Sequence, residues 1–346
     1  MPALFEQGFF VREPAWHGMG VVLDDYPDRE TAMRLAGHDW DVIVFDGLRV
    51  PVTNEALAAA GQPVNAEGNG FMRKVDGWTV HMRSDTLDLL HVARESFERI
   101  SNSVMYDIAE LLFDQGFQYE TGVTVDGGRT VAITLKLDEP IRISGDDSIV
   151  LPFGCLSMAH DGSASLKVRS GTIRQVCANT VSASEAEGKR LGTDFTFRHT
   201  KNVHERIADA REAVKGVRSG LEVYREVMED LAVMQVTPEH RDLFVSTIIG
   251  DLPDRDGVPV SMRADTSERV KTNISNERAK INGLFFGPTI PEAHKLTAYG
   301  LHLAGVEYFD HLRNFRSQDS YVKRTLLTDS REKANLAATI RELVAA

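Results

Sequence analysis

The sequence predicts an α+β protein, with an antiparallel-rich β-sheet region and packed helices first and a helical region after it. Three observations support this class. Short apolar segments separated by Gly-containing turns fill the first part of the chain, as hairpin strands do. From Asn202 onward, apolar residues recur every three or four positions, which is helical spacing. Because 346 residues exceed one ordinary core, we expect a sheet-rich domain over 1–200 and a helical domain over 201–346.

Periodicity and turn signals predict the elements up to residue 116. The first of them are a short strand at 21–23, a helix at 28–36 and a strand at 40–52. Asp76-Gly77 predicts a two-residue turn that joins hairpin strands at 70–75 and 78–83. Apolar residues from Leu87 to Leu111 at steps of three, four and seven then predict one helix that ends near Gly116.

A second set of strands is predicted between residues 117 and 169. Asp126-Gly127-Gly128 separates two apolar segments, 117–125 and 129–137, and the second alternates apolar and polar residues, so one face should be buried. Two further strands are expected at 149–159 and 165–169, on either side of His160-Asp161-Gly162-Ser163. Most of the sheet should therefore consist of consecutive hairpins.

The clearest helix begins after Asn202, a predicted N-cap with Glu205 three residues later. Its apolar residues from Val203 to Leu231 alternate steps of four and three over four heptads, and we call them the heptad seam. Shorter apolar patterns at 270–285 and 296–306 offer internal partners. The seam therefore predicts either an internal antiparallel bundle or a homo-oligomer that assembles through Val203 to Leu231.

Composition and charge narrow the protein class. The chain has 39 basic and 51 acidic residues, a net charge of −12, and its apolar content is that of a globular protein. Residues 1–147 hold 25 acidic and 12 basic side chains, whereas 148–346 hold 26 and 27. With no long apolar stretch, no secretion signal and only Cys155 and Cys177, we expect a cytoplasmic protein without a membrane association.

Motifs for catalysis, metals and cofactors do not emerge from the sequence. Gly188-Lys189 lacks the remainder of a phosphate-binding loop, and Gly18-Met19-Gly20 lacks the third glycine of a dinucleotide fingerprint. No histidine or cysteine spacing matches a zinc site. We expect no catalytic residues, no metal and no cofactor. The enzymatic alternative that remains is a hydrolase or nuclease site near Trp16, His17 and His160, although a strand-joining turn is the simpler interpretation of His160-Asp161.

A basic segment at 160–206 is the most suggestive electrostatic feature, with eight basic and five acidic residues. Lys167 and Arg169 are two positions apart on a predicted strand, so their side chains should share a face. If the strand around Phe195 and Phe197 joins that face, cations for phosphates would lie beside rings for base stacking. The candidate nucleic-acid-binding residues are Lys167, Arg169, Arg174, Phe197, Arg198, His199 and Lys201. The alternative is a solvated strand face with Phe195 and Phe197 in the core.

Several segments together resemble the phage/plasmid-like family built on the domain of unknown function 932. They are Pro14 to Gly20, His160 to Ser163, Ile173 to Thr180, Arg198 to Val203 and Thr297 to His311. The resemblance implies a mobile-element protein of a bacterial host cytoplasm. The family has no established activity, so no catalytic residue is implied.

Two hypotheses of function follow. The first is a non-enzymatic nucleic-acid-binding protein of a phage or mobile element that binds or anneals single-stranded DNA in replication or recombination. The second is a protein-interaction module that redirects host machinery, with the acidic first part as a charge mimic or docking face.

Overall fold

The computed structural model describes residues 5–12, 20–63, 71–174, 179–182, 195–208, 210–312 and 335–345. Over these ranges the chain has the predicted α+β class, with antiparallel sheets first and helices after them. No helix within them has the length and apolar content needed to cross a membrane.

The strands and helices of the described residues follow in chain order. The strands are β1 (Phe5–Val11), β2 (Val21–Leu23), β3 (Val42–Val52), β4 (Phe71–Arg83), β5 (Leu89–Arg94), β6 (Phe117–Val125), β7 (Thr130–Leu137), β8 (Ile141–Ile143), β9 (Asp146–Ala159), β10 (Leu166–Arg174), β11 (Asn179–Ser182) and β12 (Phe195–Phe197). The helices are α1 (Arg29–Ala36), α2 (Asn54–Ala59), α3 (Asn102–Glu110), α4 (Val203–Ala208), α5 (Ala210–Val233), α6 (Pro238–Ile249), α7 (Glu268–Phe285), α8 (Ala298–Glu307) and α9 (Leu336–Ala345).

A large sheet forms the body of the first part, in the order β11-β10-β9-β7-β6-β1-β2, with β12 also paired to β10 and β8 to β9. Consecutive hairpins account for much of this order, as predicted. The turn at Asp126, Gly127 and Gly128 joins β6 to β7, and all three residues have positive φ angles, between 58° and 84°. Helices α1, α3 and α5 contact this sheet. A smaller sheet has the order β3-β4-β5.

The smaller sheet corrects two predictions. Asp76-Gly77 does not form a hairpin turn, because β4 continues through it. The register of the two strands shifts between the pairs Asp46–Thr79 and Leu48–Val75, so Gly47 of β3 (φ 85°) faces residues 76–78 of β4. Gly77 (φ 78°) lies within this bulge. The single helix predicted from Leu87 to Leu111 is also wrong, since Leu89–Arg94 pairs with β4 and the helical part is only α3.

The heptad seam is buried inside the chain. Val214, Val217 and Leu221 of α5 pack in the core of the large sheet. Further along α5, Tyr224 and Leu231 belong to a second core with α6, α7, α8 and α9. The prediction that the seam packs within the chain is therefore confirmed with one change. Half of the seam packs on the large sheet, and only the other half packs among helices. A homo-oligomer through this seam is not supported, since its described side chains are already covered.

The two cores share α5, and Val203 of α4 is fully buried in the core of the sheet region. Residues on both sides of position 200 thus contribute to one core. The division into domains 1–200 and 201–346 stays a prediction.

Candidate anion-binding cavity

The large sheet places Lys167 and Arg169 on one face, as predicted. Lys167 lies opposite Ser157 of β9, and Arg169 lies opposite Cys155. Leu166 and Val168, on the other face of β10, pack in the main core. Arg169 is only 7% exposed and Lys167 is half-buried, so neither side chain lies on an open surface.

The two phenylalanines of β12 lie on the opposite face, which differs from the predicted arrangement. β12 does join β10, but Phe195 pairs with Val168 and Phe197 pairs with Leu166. Paired residues of neighbouring strands point to the same face, so both rings lie on the core side of the sheet. Phe197 is 5% exposed and packs in the main core, which leaves no open ring face for a base. The alternative prediction, that Phe197 lies in the core, is therefore confirmed.

The remaining candidates have separate positions. Arg198 is exposed directly after β12. Arg174 ends β10, and its side chain lies outside the described part of the structure, as do Trp16, His17 and Cys177.

His199 and Lys201 line a cavity of about 730 Å³, together with residues of β5, of the loop after β5 and of α4. The side chains used in the argument below are His91, Arg94, Phe97, His199, Lys201 and Arg206. The cavity thus joins two segments that are about a hundred residues apart in the chain.

Direct contacts hold these two segments together. The His199 ring stacks on the Phe97 ring, with 4.4 Å between the centroids and 11° between the planes. His199 Nδ1 donates a hydrogen bond to the carbonyl oxygen of Glu98 (2.9 Å), and the Glu98 backbone N–H donates one to the carbonyl oxygen of His199 (3.3 Å). One wall of the cavity is therefore fixed by both backbone and side-chain contacts.

Three cationic side chains surround the cavity, and none of its lining residues in the described part of the chain is acidic. The Arg94 guanidinium lies over the Trp78 ring at 4.3 Å. Arg206 donates to the carbonyl oxygen of Thr196 (3.0 Å), and Lys201 is exposed. Among the described residues, no carboxylate is within ion-pair distance of these three cations. With no described carboxylate paired to these three cations, the cavity favours an anion.

Three imidazoles surround Phe97 in the wall of this cavity. In addition to His199, the rings of His81 and His91 approach Phe97 edge-on, at centroid distances of 5.3 and 5.0 Å. Burial lowers the pKa of His91 and of His199, and it lowers the pKa of His81 to about 4. The imidazoles are therefore neutral at pH 7 when the cavity is empty. Within the described residues, no group of three or more potential ligands is arranged to hold a metal ion.

His160, the acid/base candidate of the enzymatic alternative, has a structural position. Its Nε2 donates to the side-chain oxygen of Asn102 (2.8 Å), and its ring is buried against Trp40 at 5.1 Å. The Asn102 amide in turn donates to the carbonyl oxygens of His38 and Trp40. This buried network connects the turn after β9 to α3, and it leaves the His160 side chain only 3% exposed.

Of the residues that line this cavity, the sequence-based candidates include His199 and Lys201 but not His91, Arg94, Phe97 and Arg206. Within 89–94 the histidine and the arginine look like ordinary residues of an amphipathic element, and the sequence carries no local signal that pairs them with residue 199. The basic count over 160–206 did include Arg206.

Comparison with known proteins identifies one family. Residues 89–329 match the family model described as Domain of unknown function (DUF932), and this range includes every cavity residue named above. No curated protein and no solved structure matches the chain. Because the match covers more than half of the sequence, the chain belongs to the DUF932 family.

Proposed function

We propose that this protein binds single-stranded nucleic acid and that the cavity between β5 and α4 holds a phosphate group of the strand. One observation carries the proposal: Arg94, Lys201 and Arg206 surround a cavity without an acidic lining residue, and none of the three has a carboxylate partner in the described structure. Phosphate groups supply most of the affinity in nucleic-acid binding, and cations without carboxylate partners meet them without first breaking an ion pair.

The site favours a flexible strand over a duplex. The cations line an open recess, and Phe97 and His199 form part of its wall. A single strand can bend a phosphate into such a recess, whereas a duplex presents its phosphates on a stiff cylinder. A protein with this preference suits replication, recombination or strand annealing in a phage or plasmid, which is the setting that the sequence resemblance implies.

Charge reversal at the cavity tests the proposal. We expect Lys201→Glu to weaken binding of a labelled single-stranded oligonucleotide about tenfold, because one charge-assisted phosphate contact is lost. Arg94→Glu combined with Lys201→Glu should flatten the slope of log affinity against log salt by about 1.4, at about 0.7 per contact for single strands. Fluorescence anisotropy at several salt concentrations measures both quantities.

The matched control is Arg255→Glu, which reverses an exposed arginine in the loop between α6 and α7, far from the cavity in sequence and outside its lining. It should leave affinity and salt slope near those of the unmodified protein. Equal losses in the control and in Lys201→Glu would show that only overall charge matters, and the cavity would no longer be the binding site. No binding by the unmodified protein would refute the proposed function.

Protein binding is a second candidate, because apolar side chains are exposed on the paired strands β3 and β4. Phe71 and Met72 at the beginning of β4 are 48% and 54% exposed, and Val50 of the paired strand β3 is 37% exposed. The helix α2, which lies between these strands in the chain, has no buried residue. An exposed apolar group of this kind is typical of an interaction surface. Crosslinking in host extract should give a defined partner with the unmodified protein and none with Phe71→Ser/Met72→Ser, while oligonucleotide affinity stays the same.

A further inference from the structure

We propose that the cavity is a proton-linked anion site, in which binding of a phosphate group is accompanied by uptake of one proton at His91. This inference deepens the proposed function and rests on the same cavity. It assigns a regulation to the site, namely that acidification strengthens binding, and it names the side chain that responds.

The position of His91 supports the assignment. His91 lines the cavity and is only half-buried, whereas His81 is 1% exposed and lies behind the Phe97 ring. His199 already uses Nδ1 to donate to the Glu98 carbonyl oxygen, and its Nε2 is buried. Of the three imidazoles, His91 thus has the best access to both solvent and a bound anion.

Each element that packs near His91 contributes charged or titratable side chains. They are Arg94 on β5, His81 on β4, Asp161 in the turn after β9, His199 and Lys201 in the segment between β12 and α4, and Arg206 on α4. Arg99, in the loop after β5, acts on His81. Burial lowers the pKa of His91, and only Asp161 opposes this effect. Without a bound anion, His91 is therefore neutral at pH 7.

A bound anion reverses this balance. Its negative charge attracts a proton to the nearest imidazole that can accept one, which raises the pKa of that group. Because binding and protonation are linked, a site that takes up one proton gains at most about tenfold in affinity for each pH unit of acidification. Neither a phosphodiester nor sulfate changes its own charge between pH 5.5 and 8, so with these ligands the effect must come from the protein.

Isothermal titration calorimetry measures the proton directly. The full chain is titrated with a ten-residue oligothymidylate, and separately with sodium sulfate, at pH 6.5 in two buffers that differ in ionisation enthalpy. We expect a positive proton uptake below one per bound anion, and an affinity that increases as the pH is lowered from 8 to 5.5. Equal apparent enthalpies in the two buffers would overturn the inference.

Two variants assign the proton. His91→Asn should bind with little or no proton uptake and should lose most of the pH dependence. The matched control His204→Asn removes an exposed histidine of α4 that does not line the cavity, and it should behave like the unmodified protein. Undiminished proton uptake in His91→Asn would refute the assignment to His91.

The two ligands separate this inference from the proposed function. If sulfate binds with proton uptake but the oligothymidylate does not bind, the inference stands and the nucleic-acid function fails. If the oligothymidylate binds without proton uptake, the function stands and the inference fails. If neither ligand binds, both fail.

Discussion

Lowering the pH from 7 to 5 is expected to reduce the free energy of unfolding by about 4 kcal/mol through His38 and His160 alone. Burial lowers the pKa of His38 to about 4 and that of His160 to about 3. Both rings are neutral in the folded protein and fully enclosed by partners. The Nε2 of His38 donates to the carbonyl oxygen of Val123 (2.9 Å), and its Nδ1 accepts from the Tyr106 hydroxyl (2.9 Å).

The sign follows from comparing folded and unfolded chains. In the unfolded chain both histidines titrate near their ordinary pKa of about 6.5, so below that pH the unfolded state binds protons that the folded state does not. The stability contributed by each histidine is therefore complete above pH 6.5 and decreases as the pH falls toward its folded-state pKa. Between pH 7 and pH 5 each of the two accounts for about 2 kcal/mol. Carboxylates such as Asp85, with a pKa below the usual value, act only at lower pH.

Urea denaturation at pH 7 and pH 5 measures this loss. His160→Gln keeps an N–H donor for Asn102 but cannot titrate, so the difference between the two pH values should shrink by about 2 kcal/mol even if the variant is less stable at pH 7. The control His204→Gln changes an exposed histidine and should leave the difference unchanged. An unmodified protein that is equally stable at both pH values would contradict the neutral, buried state of His38 and His160.

Elements set by neighbouring residues were predictable from the sequence, whereas those set by distant pairing were not. The turn at Asp126-Gly127-Gly128 requires positive φ angles that these residues themselves supply. Asp76-Gly77 carries the same local signal, but its role as a bulge depends on Gly47, which lies in the neighbouring strand. Likewise, Leu89–Arg94 has helical spacing but forms a strand, because an edge of β4 is available for pairing.

The candidate site also combines features that the local sequence predicts with features that depend on distant pairing. The alternation of β10 places Lys167 and Arg169 on one face, and this needed only the period of a strand. That Phe197 points to the core depends on its pairing with Leu166, which the local sequence does not encode. The cavity itself arises where the loop after β5 meets the residues after β12, and no spacing within either segment indicates the other.

Replacing Gly300 with alanine is expected to destabilise the protein by about 3 kcal/mol or more. Gly300 lies in the first turn of α8, where a Cβ atom would collide with the backbone carbonyl oxygen of His294. That carbonyl belongs to a 3₁₀ turn, Glu292–His294, which cannot move away freely. His294 Nε2 donates to the carbonyl oxygen of Ser144 (2.8 Å), and this bond ties the turn to the loop between β8 and β9.

The matched control is Gly283→Ala in α7. A Cβ atom there meets no atom within 4 Å, so the substitution adds helix propensity without crowding and should stabilise the protein by about 0.5–1 kcal/mol. Chemical denaturation of both variants compares the same substitution at two helical glycines. If alanine destabilises the protein at position 300 and stabilises it at position 283, the contact with His294 explains why residue 300 must be glycine. The loss of a glycine as such would not explain this difference. A neutral Gly300→Ala would mean that α8 and the turn before it separate easily, and the close packing of α8 on the Glu292–His294 turn would then be incorrect.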